Sequence, residues 1–249
     1  MGRSRHHGTE MRLAIVSDIH GNMTAFEAVL ADLRETSPDV ILHGGDLPHG
    51  GSEPGAVVDR VRELGWPGVA GNTDELLWRP ESLDEFAAAV PGVRPLVPAI
   101  REMGVATANA LGEERLAWLR GLPLRQDCGP VALVHAAPDS LWSSPGSEST
   151  DAELEAAYSP LEKPFAVYAH IHTPYIRSME GKVVANTGSV SLSYDGDTRA
   201  SYLLIDDDTV QIRRVEYDIE AEATALLATG FPHAEWTVRV LRSARPQMP

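Results

Sequence analysis

The N-terminal third of the chain alternates between short apolar runs and amphipathic helical segments, and this alternation is the strongest constraint on the fold. The apolar runs are typical of strands buried on both faces of a sheet, and they lie at 12–17, 40–42 and 68–70. Helices are predicted between them, from about 22 to 33 and from 54 to 65, because apolar residues recur there three and four positions apart. The alternation predicts an α/β protein with a largely parallel sheet and right-handed crossovers.

The rest of the chain changes from a helical to a strand-rich pattern. Residues 74–125 are predicted to be helical and interrupted by proline, with a loop at 91–98 and a short helix at 113–122. Further strands are predicted at 131–135, 165–169, 175–179, 182–186, 200–206 and 209–217. The last four are predicted to be antiparallel hairpins that form or extend a second sheet. The remaining helices are predicted at 151–158, at 219–229 and from 234 onward.

The chain is predicted to form one domain. We find no repeat, low-complexity tract or linker, so a single domain is expected over 11–249. Residues 1–10 are polar and basic and lack the apolar segment of a signal peptide, so they are expected to be a disordered extension. Cys128, in a turn-like segment at 126–130, is the only cysteine, which excludes an intramolecular disulfide and a cysteine-based zinc site. These features together favour a cytoplasmic location.

The charge of the chain restricts its partners. The formal net charge is −15 and no cluster of lysine and arginine is present, so binding to a long nucleic acid is not expected. No stretch approaches the ~20 apolar residues that span a bilayer, so no membrane partner is expected either. A small phosphorylated substrate is compatible with this charge if bound metal supplies a local positive field. The sequence leaves the oligomeric state open.

Potential metal ligands lie at, or directly after, the carboxyl ends of five predicted strands. They are Asp18, His20, Asp46, Asn72, His135, His170 and His172. The carboxyl ends of strands in an open α/β sheet share one edge, where ligand sites form, so these side chains are expected to converge. Each motif alone is common, although His170 and His172 alternate along an extended segment and therefore share a face. The conjunction of all these donors predicts a metal site.

The residue types suit two divalent cations. Imidazole and carboxylate ligands accept Mn, Fe, Zn or Ni, and no thiolate favours a softer metal. Asp46 is the best placed residue to bridge the cations, because its carboxylate offers two oxygens. Such a site would attract a phosphate group and lower the pKa of a bridging water toward neutrality, which makes hydroxide available as the nucleophile. Asp46, Asn72 and His135 are the candidate catalytic residues among these ligands.

Several blocks of the sequence resemble the signature motifs of the calcineurin-like metallophosphoesterase superfamily. The blocks are Asp18-Ile19-His20-Gly21-Asn22, Gly45-Asp46, Gly71-Asn72-Thr73-Asp74, Val134-His135 and His170-Ile171-His172. Two later segments, 186–190 and 195–202, resemble the small bacterial and archaeal phosphodiesterase-like branch of that superfamily. The resemblance covers about 11–242.

The resemblance implies a fold, a division of the ligands and an activity. The implied fold is a four-layer α/β/β/α sandwich with two mixed sheets. The implied ligand sets share Asp46: one is Asp18, His20, Asp46 and His172, and the other is Asp46, Asn72, His135 and His170. The implied activity is hydrolysis of a small phosphodiester or phosphomonoester by a hydroxide that bridges two divalent cations.

The sequence departs from the family pattern where the leaving group is expected. Thr73 stands in place of a histidine that acts on the leaving group, and a hydroxyl is not a useful general acid near neutral pH. Without that histidine, the enzyme is expected to prefer substrates whose leaving group is a weak base. The alternative is that His49, on the glycine-rich loop after Asp46, is a substitute proton donor. That loop, 47–51, lacks the phosphate-binding arginine of protein phosphatases and dinucleoside-tetraphosphate hydrolases. His43 is expected to be an ordinary strand residue, with a supporting role at the site as the alternative.

Two other functions compete with an active small-molecule phosphoesterase. A catalytically weak protein-binding module on the same fold would be expected to have lost some ligands, and here every one is present. A serine/threonine protein phosphatase would need a surface groove and arginine clamps, which the sequence does not indicate. The physiological substrate and the native metal stay open at this stage.

Overall fold

Two mixed β-sheets lie face to face at the centre of the protein. The structure is a computed structural model that describes residues 11–207 and 209–249, so the extension predicted at 1–10 lies outside the described residues. The strands are β1 (Arg12–Val16), β2 (Val40–His43), β3 (Arg125–Cys128), β4 (Val131–Val134), β5 (Phe165–Tyr168), β6 (Tyr175–Met179), β7 (Lys182–Asn186), β8 (Ala200–Asp206) and β9 (Thr209–Val215). The helices are α1 (Met23–Thr36), α2 (Pro54–Leu64), α3 (Asn72–Leu76), α4 (Glu81–Ala89), α5 (Val97–Arg120), α6 (Asp151–Tyr158), α7 (Ile219–Thr229) and α8 (Ala234–Ser243), with 3₁₀-helices at Pro91–Leu96 and Ser159–Leu161.

The order of the strands shows that both sheets are mixed. The first sheet has the order β2-β1-β8-β9 and the second has the order β3-β4-β5-β7-β6. In the first sheet β1 and β2 are parallel, whereas β8 is antiparallel to both β1 and β9. In the second sheet β4, β5 and β7 are parallel, and the edge strands β3 and β6 are antiparallel to their neighbours. The two mixed sheets implied by the resemblance are confirmed. The largely parallel sheet predicted from the N-terminal alternation is not found.

Alternate residues of each strand pack in opposite directions, and this produces the four layers. Leu13 and Ile15 of β1 lie in the apolar cluster between the sheets, together with Leu133 of β4. Their neighbours Ala14 and Val16 pack against α1 and α2 on the outer face of the first sheet. The helix α6 covers the outer face of the second sheet in the same way. The order helix, sheet, sheet, helix confirms the four-layer α/β/β/α sandwich.

Two predictions about strands were wrong because pairing partners are distant in the chain. The segment 68–70 is not a strand: only Gly68 bridges to β2, and the N–H of Ala70 donates instead to the carbonyl oxygen of Pro123. The C-terminal hairpins do not share a sheet. The hairpin of β6 and β7 extends the second sheet, whereas the hairpin of β8 and β9 extends the first. Local apolar patterns do not show which strands pair with each other.

Other differences concern the middle of the chain. The turn predicted at 126–130 overlaps the edge strand β3, whose polar residues are tolerated because it pairs only with β4. The loop predicted at 91–98 is a 3₁₀-helix that leads into α5, and the helix predicted at 113–122 is the part of α5 after a kink at Gly112, where φ is 71°. Although α5 has 24 residues, neither it nor any other described helix is long and apolar enough to cross a membrane.

Two loops meet in backbone contact at the edge where β1, β2 and β4 end. One loop follows β2 and contains Gly45 and Asp46, and the other contains Gly71 and leads into α3. A Cβ atom on Gly71 would lie 2.1 Å from Oδ1 of Asp46 and 2.5 Å from its backbone nitrogen. A Cβ atom on Gly45, where φ is 86°, would lie 2.5 Å from the backbone nitrogen of Gly71. Glycine at both positions is what allows the loops to approach this closely.

Replacement of Gly71 by alanine is expected to lower the free energy of unfolding by about 1–3 kcal/mol, because the added methyl group must displace rigid backbone. Gly92→Ala is the matched control, since nothing lies within 4 Å of the Cβ added there. We expect the control to stay within about 0.5 kcal/mol of the wild type. Urea titration of both variants measures the difference, and equal free energies would contradict the close contact between the loops.

Candidate metal centre

The structure brings all the predicted ligands together at one edge of the two sheets. Asp18 and His20 follow β1, Asp46 follows β2, Asn72 begins α3, His135 follows β4, and His170 and His172 follow β5. All are buried except His170, which is half-buried. Side chains of this polarity are buried only where partners offset the loss of hydration. The identity of those partners follows from the positions of the donor atoms.

Most of the predicted ligands have a left-handed backbone. The φ angles are 52° at Asp18, 51° at His20, 54° at Asp46, 69° at His170 and 55° at His172. Residues other than glycine rarely adopt a positive φ, which costs about 1–3 kcal/mol each and is concentrated at functional sites. Backbone hydrogen bonds between the loops hold these turns: the N–H of Asp18 donates to Gly45 and that of His20 donates to Asp46, both at 3.0 Å. The backbone is therefore strained at the residues that carry the donor atoms.

The first set of donors surrounds a point between two histidines. One donor atom of each residue lies within 4.8 Å of the others in the set Asp18, His20, Asp46 and His172. Nε2 of His20 and Nε2 of His172 are 3.2 Å apart, and Nε2 of His172 is 3.2 Å from Oδ1 of Asp18. In both rings Nδ1 must carry a proton, because it faces the carbonyl oxygen of His49 at 2.8 Å or of Leu192 at 2.6 Å.

When these two rings are neutral, their Nε2 atoms therefore carry lone pairs that face each other. Contact between two lone pairs is repulsive unless a proton or a cation lies between them. The separation also fits a shared cation, since two nitrogen ligands of a tetrahedral Zn²⁺ lie about 3.3 Å apart. The chemistry of the first set thus fits a divalent cation.

The second set of donors surrounds the amide oxygen of Asn72. This Oδ1 is 2.8 Å from Nε2 of His135 and 2.9 Å from Nδ1 of His170. Nδ1 of His135 donates to the carbonyl oxygen of Gly44 at 2.7 Å, so the Nε2 of a neutral ring has no proton to offer the amide oxygen. Two acceptors are again in contact, and a cation would stabilise them in the same way as in the first set.

Asp46 lies between the two sets. Its Oδ2 is 3.7 Å from Nε2 of His20, and its Oδ1 is 3.5 Å from Nε2 of His135. Oδ1 also accepts a hydrogen bond from the N–H of Thr73 at 2.9 Å, which fixes the orientation of the carboxylate. One oxygen is thus directed to each set, an arrangement that is compatible with a ligand shared by two cations.

A supporting carboxylate, Asp74, lies in one of the motif blocks but is not among the site residues predicted from the sequence. Its buried side chain accepts hydrogen bonds from the N–H groups of Asp46 at 2.9 Å, Leu47 at 3.1 Å and Gly71 at 2.8 Å. Asp74 therefore ties the loop after β2 to the start of α3. Burial and the nearby Asp46 raise the pKa of Asp74 to about 7. An acidic residue in the first turn of a helix is the signal that identifies such a role, since it accepts from free N–H groups.

The protonation states of the donors suit metal binding. Burial disfavours a charged Asp18, but the neighbouring histidines, His172 above all, lower its pKa to about 2. Burial lowers the pKa of His20 to about 4 and that of His170 to about 4. Burial acts in the same direction on His172, but Asp18 outweighs it and raises the pKa of this ring. Metal ligands bind deprotonated, so the lowered pKa values of His20 and His170 favour cation binding, whereas the raised pKa of His172 opposes it.

Two further histidines lie near the site and differ in their surroundings. His43 is fully buried against Gly68 and Trp118, and neither ring nitrogen has a hydrogen-bond partner in the part of the chain that the structure describes. The structure therefore favours the ordinary strand residue over a supporting role. The ring of His49 lies 6.5 Å from that of His20, and its buried Nε2 has no hydrogen-bond partner among the described residues.

A cavity of about 250 Å³ opens onto the donors. We call the donors that line it the floor, which consists of His20, Asp46, Asn72, His170 and His172. Thr73 and His49 also line the cavity beside the floor. The hydroxyl of Thr73, like Nε2 of His49, is buried and has no partner within residues 11–207 and 209–249. Thr73 and His49 therefore belong to the lining of the cavity, although these two polar atoms are themselves buried.

Known proteins resemble the chain over most of its length. The sequence profile of the calcineurin-like phosphoesterase superfamily domain matches residues 11–210. An uncharacterised protein of Methanocaldococcus jannaschii is 29% identical, with 90% of this chain and 94% of that protein covered. The crystal structure of a metallophosphoesterase from Sphaerobacter thermophilus is 29% identical and has a TM-score of 0.77, with 95% of this chain and 100% of that chain covered.

A second solved structure shows the fold alone. It is a hypothetical protein from Pyrococcus horikoshii OT3, with a TM-score of 0.80 at 19% identity, and 92% of this chain and 97% of that chain are covered. The region matched by the family profile extends from β1 into β9 and contains every predicted ligand. Within it, the buried group of Asp18, His20, Asp46 and His172 has the composition of a metal site. This chain belongs to the calcineurin-like phosphoesterase superfamily.

Proposed function

We propose that the protein is a metal-dependent phosphoesterase that hydrolyses a small phosphodiester or phosphomonoester at a site for two divalent cations. The observation that carries this proposal is the contact between acceptor atoms in both sets of donors, with Asp46 between the sets. Cations would offset the repulsion in each set. Because the floor would then be positive at the base of a cavity, a phosphoryl group is the substrate feature that it attracts.

The residues would divide the two cations as the resemblance implies. The proposed first set is Asp18, His20, Asp46 and His172, and the proposed second set is Asp46, Asn72, His135 and His170. When bound, the cations (Mn, Fe, Zn or Ni) supply the hydroxide nucleophile and the positive charge that stabilises the transition state. Hydrogen bonds from Nδ1 of His20, His135 and His172 to backbone carbonyls hold each ring in one tautomer and orientation.

The two competing functions have less support. A protein phosphatase would need arginines to clamp its phosphorylated substrate, but no arginine or lysine is among the described residues that line the cavity. A protein-binding module without activity would not require two complete sets of donors on a strained backbone. Both functions are therefore less consistent with the site than hydrolysis of a small phosphoester.

Asp46→Asn tests the shared ligand. Loss of one negative charge and one good metal-binding oxygen should weaken both cations and lower kcat by about two orders of magnitude or more. His172→Ala should weaken only the first cation, and Asp127→Asn, an exposed aspartate paired with Arg125 on β3, should weaken neither. Metal content per chain after dialysis and turnover of a phosphodiester panel measure these effects. Two retained cations and normal turnover in Asp46→Asn would show that Asp46 is not shared.

The leaving group of the reaction tests the role of His49. A general acid contributes about 10²–10⁴-fold when the leaving alkoxide is a strong base and little when it is a weak base. We propose His49 as the proton donor because this residue lines the cavity beside the floor and its Nε2 has no hydrogen-bond partner among the described residues, whereas Thr73 cannot serve. Rates measured against leaving-group pKa should then depend weakly on pKa in the wild type and steeply in His49→Ala. A steep dependence in both proteins would exclude His49 as the donor.

A further inference from the structure

The cavity above the floor has walls of a different chemistry from the floor itself. The walls are formed largely by apolar and aromatic side chains, among them Leu83, Phe86, Ile100, Met103, Trp142 and Trp236. They come from α4, from α5, from the loop before α6 and from α8. The floor is positioned by loops after the central strands, so the walls belong to a separate part of the fold.

One wall is held in place before any molecule binds. The rings of Phe86 and Trp142 are 5.3 Å apart, in a tilted aromatic contact. Nε1 of Trp142 donates a hydrogen bond to Oε2 of Glu75 at 2.7 Å, and the other carboxylate oxygen of Glu75 accepts from Arg79 at 3.0 Å. The ring contact with Phe86 and the hydrogen bond to Glu75 thus both hold the indole ring in place, and its N–H group already has a hydrogen-bond partner. A preformed apolar wall binds an apolar group without a cost for ordering the wall.

The cavity offers little to a charged or strongly polar group beyond the floor. No described lysine or arginine lines it, so nothing there can pair with a second phosphate. Outside the floor, the hydroxyl and imidazole side chains that line the cavity are Thr73, His49, Tyr194 and Thr237, and none of them carries a fixed charge. Burial of a charge or of several hydroxyls against these walls without partners would cost more free energy than their contacts return.

We infer that the cavity binds a phosphate ester whose esterified group is apolar and uncharged, such as a short alkyl or an aryl group. This inference rests on the proposed function, because the phosphoryl group is placed on the floor. The esterified group then lies against the wall of Phe86 and Trp142. Nucleoside di- and triphosphates and sugar phosphates are disfavoured, since their charges and hydroxyls would face apolar side chains.

Binding of alkylphosphonates to the Mn²⁺-loaded protein tests the inference without reference to turnover. Each phosphonate carries one organic group, which must enter the cavity when the phosphonate head binds the floor. Calorimetry should show affinity that rises up to about fourfold with each added methylene, so that hexylphosphonate binds at least about tenfold more tightly than methylphosphonate. A dihydroxybutylphosphonate should bind more weakly than butylphosphonate.

Two leucine variants locate the effect. Leu96→Ala shortens a half-buried side chain that lines the cavity, and Leu124→Ala makes the same change at a residue that is 61% exposed and does not line it. The ratio of hexylphosphonate to methylphosphonate affinity should fall by about threefold or more in Leu96→Ala and stay unchanged in Leu124→Ala. Equal ratios in the two variants would overturn the inference.

The remaining outcomes separate the inference from the proposed function. If methylphosphonate binds only with Mn²⁺ present but affinity does not rise along the series, the apolar pocket is refuted and the proposed phosphoesterase site stands. If no phosphonate binds the Mn²⁺-loaded protein, the floor does not hold a phosphoryl group, and both proposals are refuted.

Discussion

Repulsion between acceptor atoms is the constraint on which the rest of the structure depends. Imidazole nitrogens and amide and carboxylate oxygens lie between 2.8 Å and 3.7 Å apart, with few protons available to join them. In a buried environment such contacts are costly unless a cation or a proton satisfies them. The surrounding fold must therefore hold the donors in place by contacts of its own. Hydrogen bonds from three backbone N–H groups to Asp74, and those between the loops after β1 and β2, are the most direct of these contacts.

The arrangement of the strands explains why the donors meet at a single edge. The parallel pair β1 and β2 lies in one sheet and the parallel strands β4, β5 and β7 lie in the other. Every donor is within a few residues of one of these buried elements or of the start of α3, so little flexible chain separates it from the core. The close approach of Gly45 and Gly71 brings Asn72 beside Asp46. Strain in the left-handed turns is offset by the surrounding core packing, to which Ile19 and Leu47 of these turns contribute buried side chains.

What the sequence predicted well is what short segments determine. The buried strands before Asp18, Asp46 and His135 are apolar runs, and the turns that follow them are recognisable from their glycines and polar residues. Pairing is not local: the polar edge strand β3 and the apolar non-strand 68–70 depend on which neighbour lies beside them. The positive φ angles occur in loops whose backbone hydrogen bonds join residues far apart in the chain. The apolar wall at Phe86 escaped prediction because its residues have the pattern of ordinary core positions.

In the proposed function, the chemistry and the selectivity would be carried by different parts of this molecule. The floor is formed by loops on the central sheets, where a change of one residue disturbs the contacts that hold several donors. The walls are formed by α4, α5, Trp142 and α8, which pack around the edge of the sandwich. Trp236 and Val240 of α8 even lie beyond residue 210, outside the region matched by the family profile. In the proposed function the wall residues would contact the esterified group and the donors would hold the cations, so a change in the wall would alter the substrate preference without disturbing the donors.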